Sequence, residues 1–495
     1  MCYDKSKEDD LVKKTIGIVG MGVSGLAVLL ALSHQSEDVL ATMEIFCFDD
    51  SHHFGKGIPF QEDAALALIN SPIDDISFDY RNMSHFMVWL RENGYSTDQS
   101  YVARALYGKY LSERAKSLLN QLPVRVVTSR VEDIHYFPQQ QQWQVELEEE
   151  ATPNGLPVFF DEIHLACGAL PVLDPYELEG ALGYHADPYP LKQFARDEFD
   201  GQTVAVIGTG LAAIDVIKWL VSDTKASIQA FSRSNVFPTV RILEGPVIDW
   251  QFFTDETLNQ LLNQAEHSFT LTTFDNLLSS ELQALGFKSC KEATKQVLAP
   301  GQEGIALAFE HPKELYLLQQ LASRITVWLT DLWPYMSLDD RKAYQDTYGK
   351  AIVNLRNPMP DDSAKLLLEA FKQNKLKTIA DVSDITSTDQ GFTIITKSGK
   401  FFVNHIINAT GYHLTPANLS SATPLLQSLI NQRLCQLDAQ GGLTILPETA
   451  QVLSPKYGVM PNLYAHGALV NGVIYQNNST IKIQRMAERA FKGRG

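Results

Sequence analysis

Apolar positions gather into short β-rich runs, glycine turns and helix-like stretches, and one such arrangement occurs twice. Residues 16–19 enter Gly20-x-Gly22-x-x-Gly25, with Ser24 inside the turn, and continue as the apolar stretch 26–33. Residues 204–207 enter Gly208-x-Gly210-x-x-Ala213 and continue as 214–220. Each reads as strand, glycine turn and helix, the front half of a βαβ unit. In the first unit residues 44–48 form the next strand and end at Asp49-Asp50; in the second, residues 227–231 end at Ser232-Arg233-Ser234.

Between these units the pattern predicts helices over 84–91, with Ser84 as N-cap, and over 105–119. Strands follow at 131–137 and 143–148, joined by Pro138 and four glutamines, and at 158–166. The glutamines and Glu148-Glu149-Glu150 read as a solvated hairpin end. Residues 242–375 are helix-dominated, clearest at 255–262, 313–322, 337–345 and 363–371. Strands return at 378–385, 392–397 and, after Ser398-Gly399, 401–407. The final helix is predicted over 480–491, with Lys492, Gly493 and Arg494 near its end.

A dinucleotide pyrophosphate is held by backbone N–H groups at a helix N-terminus, which side chains there would block. The first glycine makes the tight turn, the second admits the phosphates, and the third lets helix and strand approach, alanine being an accepted variant. The residue ending the second strand separates the two sites. Asp49 can accept bonds from ribose hydroxyls, which suits FAD or NAD. Ser232 and Arg233 offer donors for the 2′-phosphate of NADPH, with Arg241 a weaker second candidate.

Ala166-Cys167-Gly168 and Asn408-Ala409-Thr410-Gly411 each follow a β-run, where small residues let the chain pass close to a cofactor. Asn462 to Gly467 enters a segment expected to meet the flavin through a helix N-terminus, with no acid–base role for His466. The fold class expected is α/β, with two Rossmann-like dinucleotide-binding domains of three-layer ββα type and a helical insertion. The expected domains are 1–190 (FAD-binding, first part), 191–400 (NAD(P)-binding, insertion about 242–375) and 401–495 (FAD-binding, second part).

The 495 residues include 41 basic and 58 acidic, for a net charge of −17. Such a field repels nucleic acid and anionic lipid, so the expected partner is a small-molecule substrate, with no nucleic acid and no membrane. Cysteines 2, 47, 167, 290 and 435 form no CxxC pair, which removes a dithiol redox centre and suits a reducing cytoplasm. No HxxxH or HExxH pattern points to a metal. Residues 15–32 are apolar enough to mimic a signal peptide or membrane span, but four glycines and the internal recurrence argue for a soluble turn.

These features resemble a bacterial FAD/NAD(P)-binding family related to flavin-dependent N-hydroxylating and class B monooxygenases. The resemblance rests on GIVGMGVSGLA (17–27), IFCFDD (45–50), LINSP (68–72), ARALYGKYL (103–111), HLACG (164–168), VAVIGTGLAAIDV (204–216), AFSRSNVFP (230–238), NLRNPMP (354–360), NATGY (408–412) and LYAHGALVNG (463–472). It implies that Gly20, Gly22, Ser24, Gly25 and Asp49 hold FAD, that Val131 meets the adenine through its backbone, and that Gly168, Gly411 and Gly467 line the FAD cleft. It implies that Gly208, Gly210, Ala213, Ser232 and Arg233 hold the nicotinamide cofactor, and that Asn70 lies near the flavin ring.

Two departures stand out. The class B signature G-x3-H-x3-[WY] is met by Gly180, His185 and Tyr189 with one extra residue before the histidine, and the first ATG is ACG, through Cys167. Residues 286–310 carry no recognisable motif. The function implied is an NADPH-dependent FAD monooxygenase hydroxylating a small polar metabolite. A flavin reductase or dehydrogenase with another acceptor, and a catalytically inactive flavin-binding sensor or scaffold, stay open. No side chain is assigned a catalytic role, and the oligomeric state is not read.

Overall fold

The computed structural model describes residues 13–50, 54–148, 155–168, 170–264 and 268–492. Its two central strands are apolar on both faces because helices or further strands cover each side. Around the first, β1 (Lys14–Val19), the chain adds α1 (Val23–Ser33), α2 (Glu37–Ala41) and β2 (Met43–Phe48). Helices α3 (His85–Glu92) and α4 (Arg104–Gln121) lead to β3 (Val124–Val127), and a hairpin of β4 (Val131–Phe137) and β5 (Gln142–Leu147) precedes β6 (Glu162–Leu165). Strands β3, β2, β1 and β6 lie side by side and parallel.

The second lobe opens with β7 (Tyr184–His185) and α5 (Arg196–Phe199), then β8 (Thr203–Ile207), α6 (Leu211–Asp223) and β9 (Ser227–Phe231). Eight helices follow: α7 (Asp255–Leu262), α8 (Leu271–Ala284), α9 (Cys290–Val297), α10 (Gly301–Glu310), α11 (Pro312–Leu332), α12 (Leu338–Tyr344), α13 (Lys350–Arg356) and α14 (Asp361–Lys372). Then come β10 (Leu376–Thr378), the meander β11 (Val382–Thr388), β12 (Gly391–Thr396) and β13 (Gly399–Val403), and β14 (His405–Asn408). The second parallel sheet has the order β10-β9-β8-β14-β7. The chain then returns through α15 (Pro424–Asn431), β15 (Ile445–Leu446), β16 (Gln451–Ser454) and β17 (Gly458–Ala465) to α16 (Thr480–Arg489), and β17 pairs with β6 to complete the first sheet.

The apolar stretch that mimics a membrane span is β1 and the eleven-residue α1, whose Leu26 to Leu32 are buried against α16 and α4. Among the described residues no helix is long and apolar enough to cross a membrane. Cys47 and Cys435 are buried and all four described cysteines are free, while Cys2 lies outside the described residues. So do Glu149, Glu150, Gly493 and Arg494.

Several expected boundaries move. The strand expected over 401–407 is two strands in different sheets, because Asn404 ends the meander and its side chain and backbone bind Thr203 at the start of β8. The division expected at 401 therefore falls later, since β14 belongs to the second sheet. Only residues 162–165 of the strand expected over 158–166 pair in the first sheet. Ser84 does precede α3, but its hydroxyl bonds Asn82 rather than capping the helix. The segment after His466 is a four-residue 3-10 turn, and the C-terminal α-helix begins at Thr480.

Candidate functional site

Each glycine turn is held by the strand beside it. Gly20 takes φ +92°, and an added Cβ would lie 2.8 Å from the backbone of Ala166 and Cys167. In the second unit Gly208 takes φ +122°, and a Cβ there would meet Ala409 O at 2.7 Å. The ACG and ATG turns are thus equivalent parts, each backing the first glycine of its own unit. Gly411 follows β14 in the second lobe, where its carbonyl accepts from Leu173 N.

The other fingerprint positions divide by what they face. A Cβ at Gly25 would strike Gly20 O at 2.1 Å, so the third glycine serves helix–strand contact, and Ala213 takes that place near Gly208. Gly22 and Gly210 are the N-caps of α1 and α6, neither offering a capping side chain nor followed by acid in the first turn. No heavy atom lies within 4 Å of a Cβ built on Gly210 or Gly168, which leaves a path for a phosphate to the helix end. Gly467 packs on Ser24, whose Oγ would clash with any Cβ there, so two predicted residues far apart in sequence meet.

Asp49 ends β2 and its carboxylate accepts the N–H of Met21 at 2.6 Å, tying the strand end to the glycine turn. Asp50 reaches Arg130 at 3.5 Å, next to Val131 at the start of β4, so the predicted adenine contact stands beside the acid. These residues, with the uncapped N-terminus of α1 at Gly22 and the close backbone of Gly57 beside it, fit the adenosine and pyrophosphate of a dinucleotide. Cys167 is free, and burial is the chief cause pushing its thiol up to about 12.

At the second strand end the chemistry is cationic. Ser232 Oγ lies 2.9 Å from Thr209 Oγ1 and accepts from Asn235 N, while Thr209 donates to Val236 O. Ser232 is thus positioned by the turn it helps to form. Arg233 is exposed. Lys350, at the start of α13, is lowered from its ordinary pKa by burial and then by the charge of Arg233. The charge of Arg233 thus reaches Lys350, a residue of the insertion that the sequence reading did not single out.

Arg241 lies elsewhere than expected. Its NH2 donates to Asn70 O at 3.4 Å, so it faces the first lobe. Its pKa is lowered, chiefly by burial, against the pull of Tyr101 and Asp75. Arg356 is likewise lowered by burial and then by Arg241, and Lys482 falls to about 7 through burial and then Arg356. Arg241 and Arg356 both act on Asp75, Arg241 bonds Asn70 and Arg356 acts on Lys482, so a cation-rich wall forms where loop, insertion and α16 converge.

The two lobes are tied by a buried pair. Arg104 at the start of α4 reaches Asp215 of α6 at 2.7 Å and donates to Leu68 O, and Tyr189 OH donates to the same carboxylate at 2.8 Å. Burial pushes the Asp215 carboxyl up against the pull of Arg104 and Lys218, while the guanidinium, opposed by burial, is raised by Asp215. A guanidinium does not give up its proton in a protein, so the pair is ionic. Lys218 of α6 also donates to Leu66 O at 2.7 Å.

Residues 17–170 match a family described as FAD-NAD(P)-binding. No curated protein matches the chain. Among solved structures, ornithine hydroxylase PvdA from Pseudomonas aeruginosa is 15% identical over 97% of each chain, with a TM-score of 0.53. L-lysine 6-monooxygenase from Pseudomonas syringae is also 15% identical over 97% of each chain, with a TM-score of 0.53. DfoA, a cadaverine monooxygenase from Erwinia amylovora solved with FAD, is 13% identical over 97% of this chain and 95% of its own, with a TM-score of 0.53. The chain has the fold of these flavin-dependent monooxygenases.

Proposed function

We propose that the protein is an FAD-dependent oxidoreductase reduced by NADPH, and that it hydroxylates a small polar metabolite with molecular oxygen. The observation that carries this is the pair of glycine turns with opposite strand ends, a carboxylate at Asp49 and two cations at Arg233 and Lys350. In this reading β1–β6 with β15–β17 form the FAD unit, and β7–β14 with the helical insertion form the NADPH unit. Gly20, Gly22, Ser24, Gly25, Asp49, Val131, Gly168 and Gly467 would hold FAD. Gly208, Gly210, Ala213, Ser232, Arg233 and Lys350 would hold NADPH, with Ala409 backing the second turn and Gly411 lining the cleft.

When bound, the two cofactors supply hydride transfer and the reaction with oxygen. The chain supplies position and charge. The exposed N–H groups of α1 and α6 bind pyrophosphate, the Arg104–Asp215–Tyr189 contact fixes one lobe against the other, and Asn70 stands beside the cation-rich wall. The folds it shares belong to enzymes named for ornithine, lysine and cadaverine, which supports a small amine as substrate. Arg241 and Arg356 suit an anionic group on that molecule.

Purified yellow protein tests this, with reduction read under anaerobic conditions and turnover read after air is admitted. Bleaching of the visible flavin band by NADPH, with oxygen uptake and a hydroxylated product once an amine from a metabolite panel is added, is the expected result. Bleaching by NADPH with turnover only when a quinone or dye is present would instead establish a reductase. A flavin that no pyridine nucleotide reduces would overturn the reading.

A further inference from the structure

His185, Glu198 and His405, distant in sequence, meet at one edge of the second sheet. Strands β7 and β14 are parallel with His185 opposite Ile407, so His405, two residues earlier on β14, projects from the same face. Helix α5 lays Glu198 across both imidazoles. Its Oε1 is 3.0 Å from His185 Nε2 and 3.6 Å from His405 Nδ1, and the three ligand atoms all fall within 4.8 Å of one another.

One carboxylate oxygen of Glu198 is the shared neighbour of both imidazoles. His185 Nε2 and His405 Nδ1 are both buried, and neither has an aligned hydrogen-bond partner. Each such orphan costs about 1–3 kcal/mol, and an ion is one recognised way to satisfy them. Phe199 stands 5.6 Å from the His185 ring and 5.1 Å from the His405 ring, and Phe194 stands 5.2 Å from His185, so packed aromatics fix both imidazoles. The side chains of His185, Glu198 and His405 are 23%, 35% and 18% exposed, enough for an ion to enter and keep a water.

We propose that His185, Glu198 and His405 form a binding site for one divalent first-row transition ion of the Zn²⁺ type. Zinc takes N and O ligands at about 2.0–2.2 Å, which in a tetrahedron sets donors about 3.3 Å apart. The two contacts to Glu198 already bracket that spacing. Two imidazoles with a single carboxylate select against Mg²⁺ and Ca²⁺. The ion would join β7, β14 and α5, stapling the strand that opens the second sheet to the one that leaves it. Motif spacing could not reveal the site, because its ligands come from three separate elements.

The test is calorimetric titration of the FAD-loaded full chain with ZnCl₂ after chelator treatment and dialysis. One equivalent is expected to bind with Kd below about 1 μM, and Mg²⁺ is expected to give no heat. His185→Asn and His405→Asn should each weaken Zn²⁺ at least tenfold, with unchanged circular dichroism and flavin absorbance. Glu198→Gln, on a short exposed helix, serves where a histidine variant fails to fold. His135→Asn, in the more exposed Asp133–His135–Glu146 group of the β4–β5 hairpin, should leave the titration unaltered. No stoichiometric binding, or one equivalent that survives both His185→Asn and His405→Asn, or loss with His135→Asn alone, would overturn the site.

Discussion

A single methyl group separates the structural glycines from the ligand-facing ones. Gly208→Ala places a Cβ 2.7 Å from Ala409 O at φ +122°, and should cost about 1–3 kcal/mol, read as a lowered Tm. Gly210→Ala meets open space at an ordinary φ of −77°, so its Tm should stay put while NADPH binding, followed by fluorescence titration, falls at least tenfold. Arg233→Ala and Lys350→Met should each raise KM for NADPH about 10–100-fold, the weight of a charge-assisted phosphate contact, and move KM for NADH less than twofold. Arg233 was legible because it ends a strand that follows a glycine turn. Lys350 was hidden by its distance along the chain, and the Thr209–Ser232 contact was hidden because the two come from different turns of the unit. Lys482 adds a pH signature. Its pKa of about 7 in the folded chain, against 10.5 ordinarily, means that between those values only the unfolded chain holds the extra proton. Stability should therefore climb with pH across that window, by at most about 1.4 kcal/mol per unit, and fall again toward pH 7. Urea midpoints of Lys482→Met should show a flatter slope than the parent.

At the level of elements, buried polar side chains do work that hydrophobic periodicity conceals. Glu281 of α8 is fully buried and accepts the N–H groups of Gln251, Phe252 and Phe253, pinning the irregular segment before α7 to the insertion. Glu281→Ala should cost about 2–4 kcal/mol and speed hydrogen exchange over residues 245–254, because three donors lose one acceptor together. The same concealment shortened α11, predicted over 313–322 but running to Leu332. Gln319 and Thr326 sit inside its buried face, where Gln319 donates to Val240 O at 2.8 Å and Thr326 to Ala322 O. Helices α9 and α10 escaped notice because Pro300 and Gly301 interrupt the pattern, and Gly304 is needed where Ala299 O would strike any Cβ. By contrast β9 and α7 were predicted to the residue, since their apolar spacing and terminal signals coincide.

For the whole molecule, a buried ion pair stands among the contacts that hold the two lobes in orientation. Asp215→Asn leaves Arg104 buried without its counter-charge, and should cost about 3–5 kcal/mol in a urea titration. Arg104→Met combined with Asp215→Leu should recover much of that loss, because an apolar pair of similar volume carries no stranded charge. If Tyr189 and this pair set the approach of the two nucleotide sites, both variants should also slow NADPH-dependent bleaching more than they weaken NADPH binding.

The first parallel sheet also sets an order of events during synthesis. Its strand β6 pairs with β17, Ile163 lying opposite Leu463, so the lobe with the Gly20 turn stays open at one side until nearly all of the second lobe has left the ribosome. The inner lobe has its strands in hand much sooner. A nascent chain paused before residue 458 should therefore already protect the Gly208 turn from protease while the N-terminal sheet is still cut, and late-arriving C-terminal strands make this enzyme's flavin pocket the last part to close.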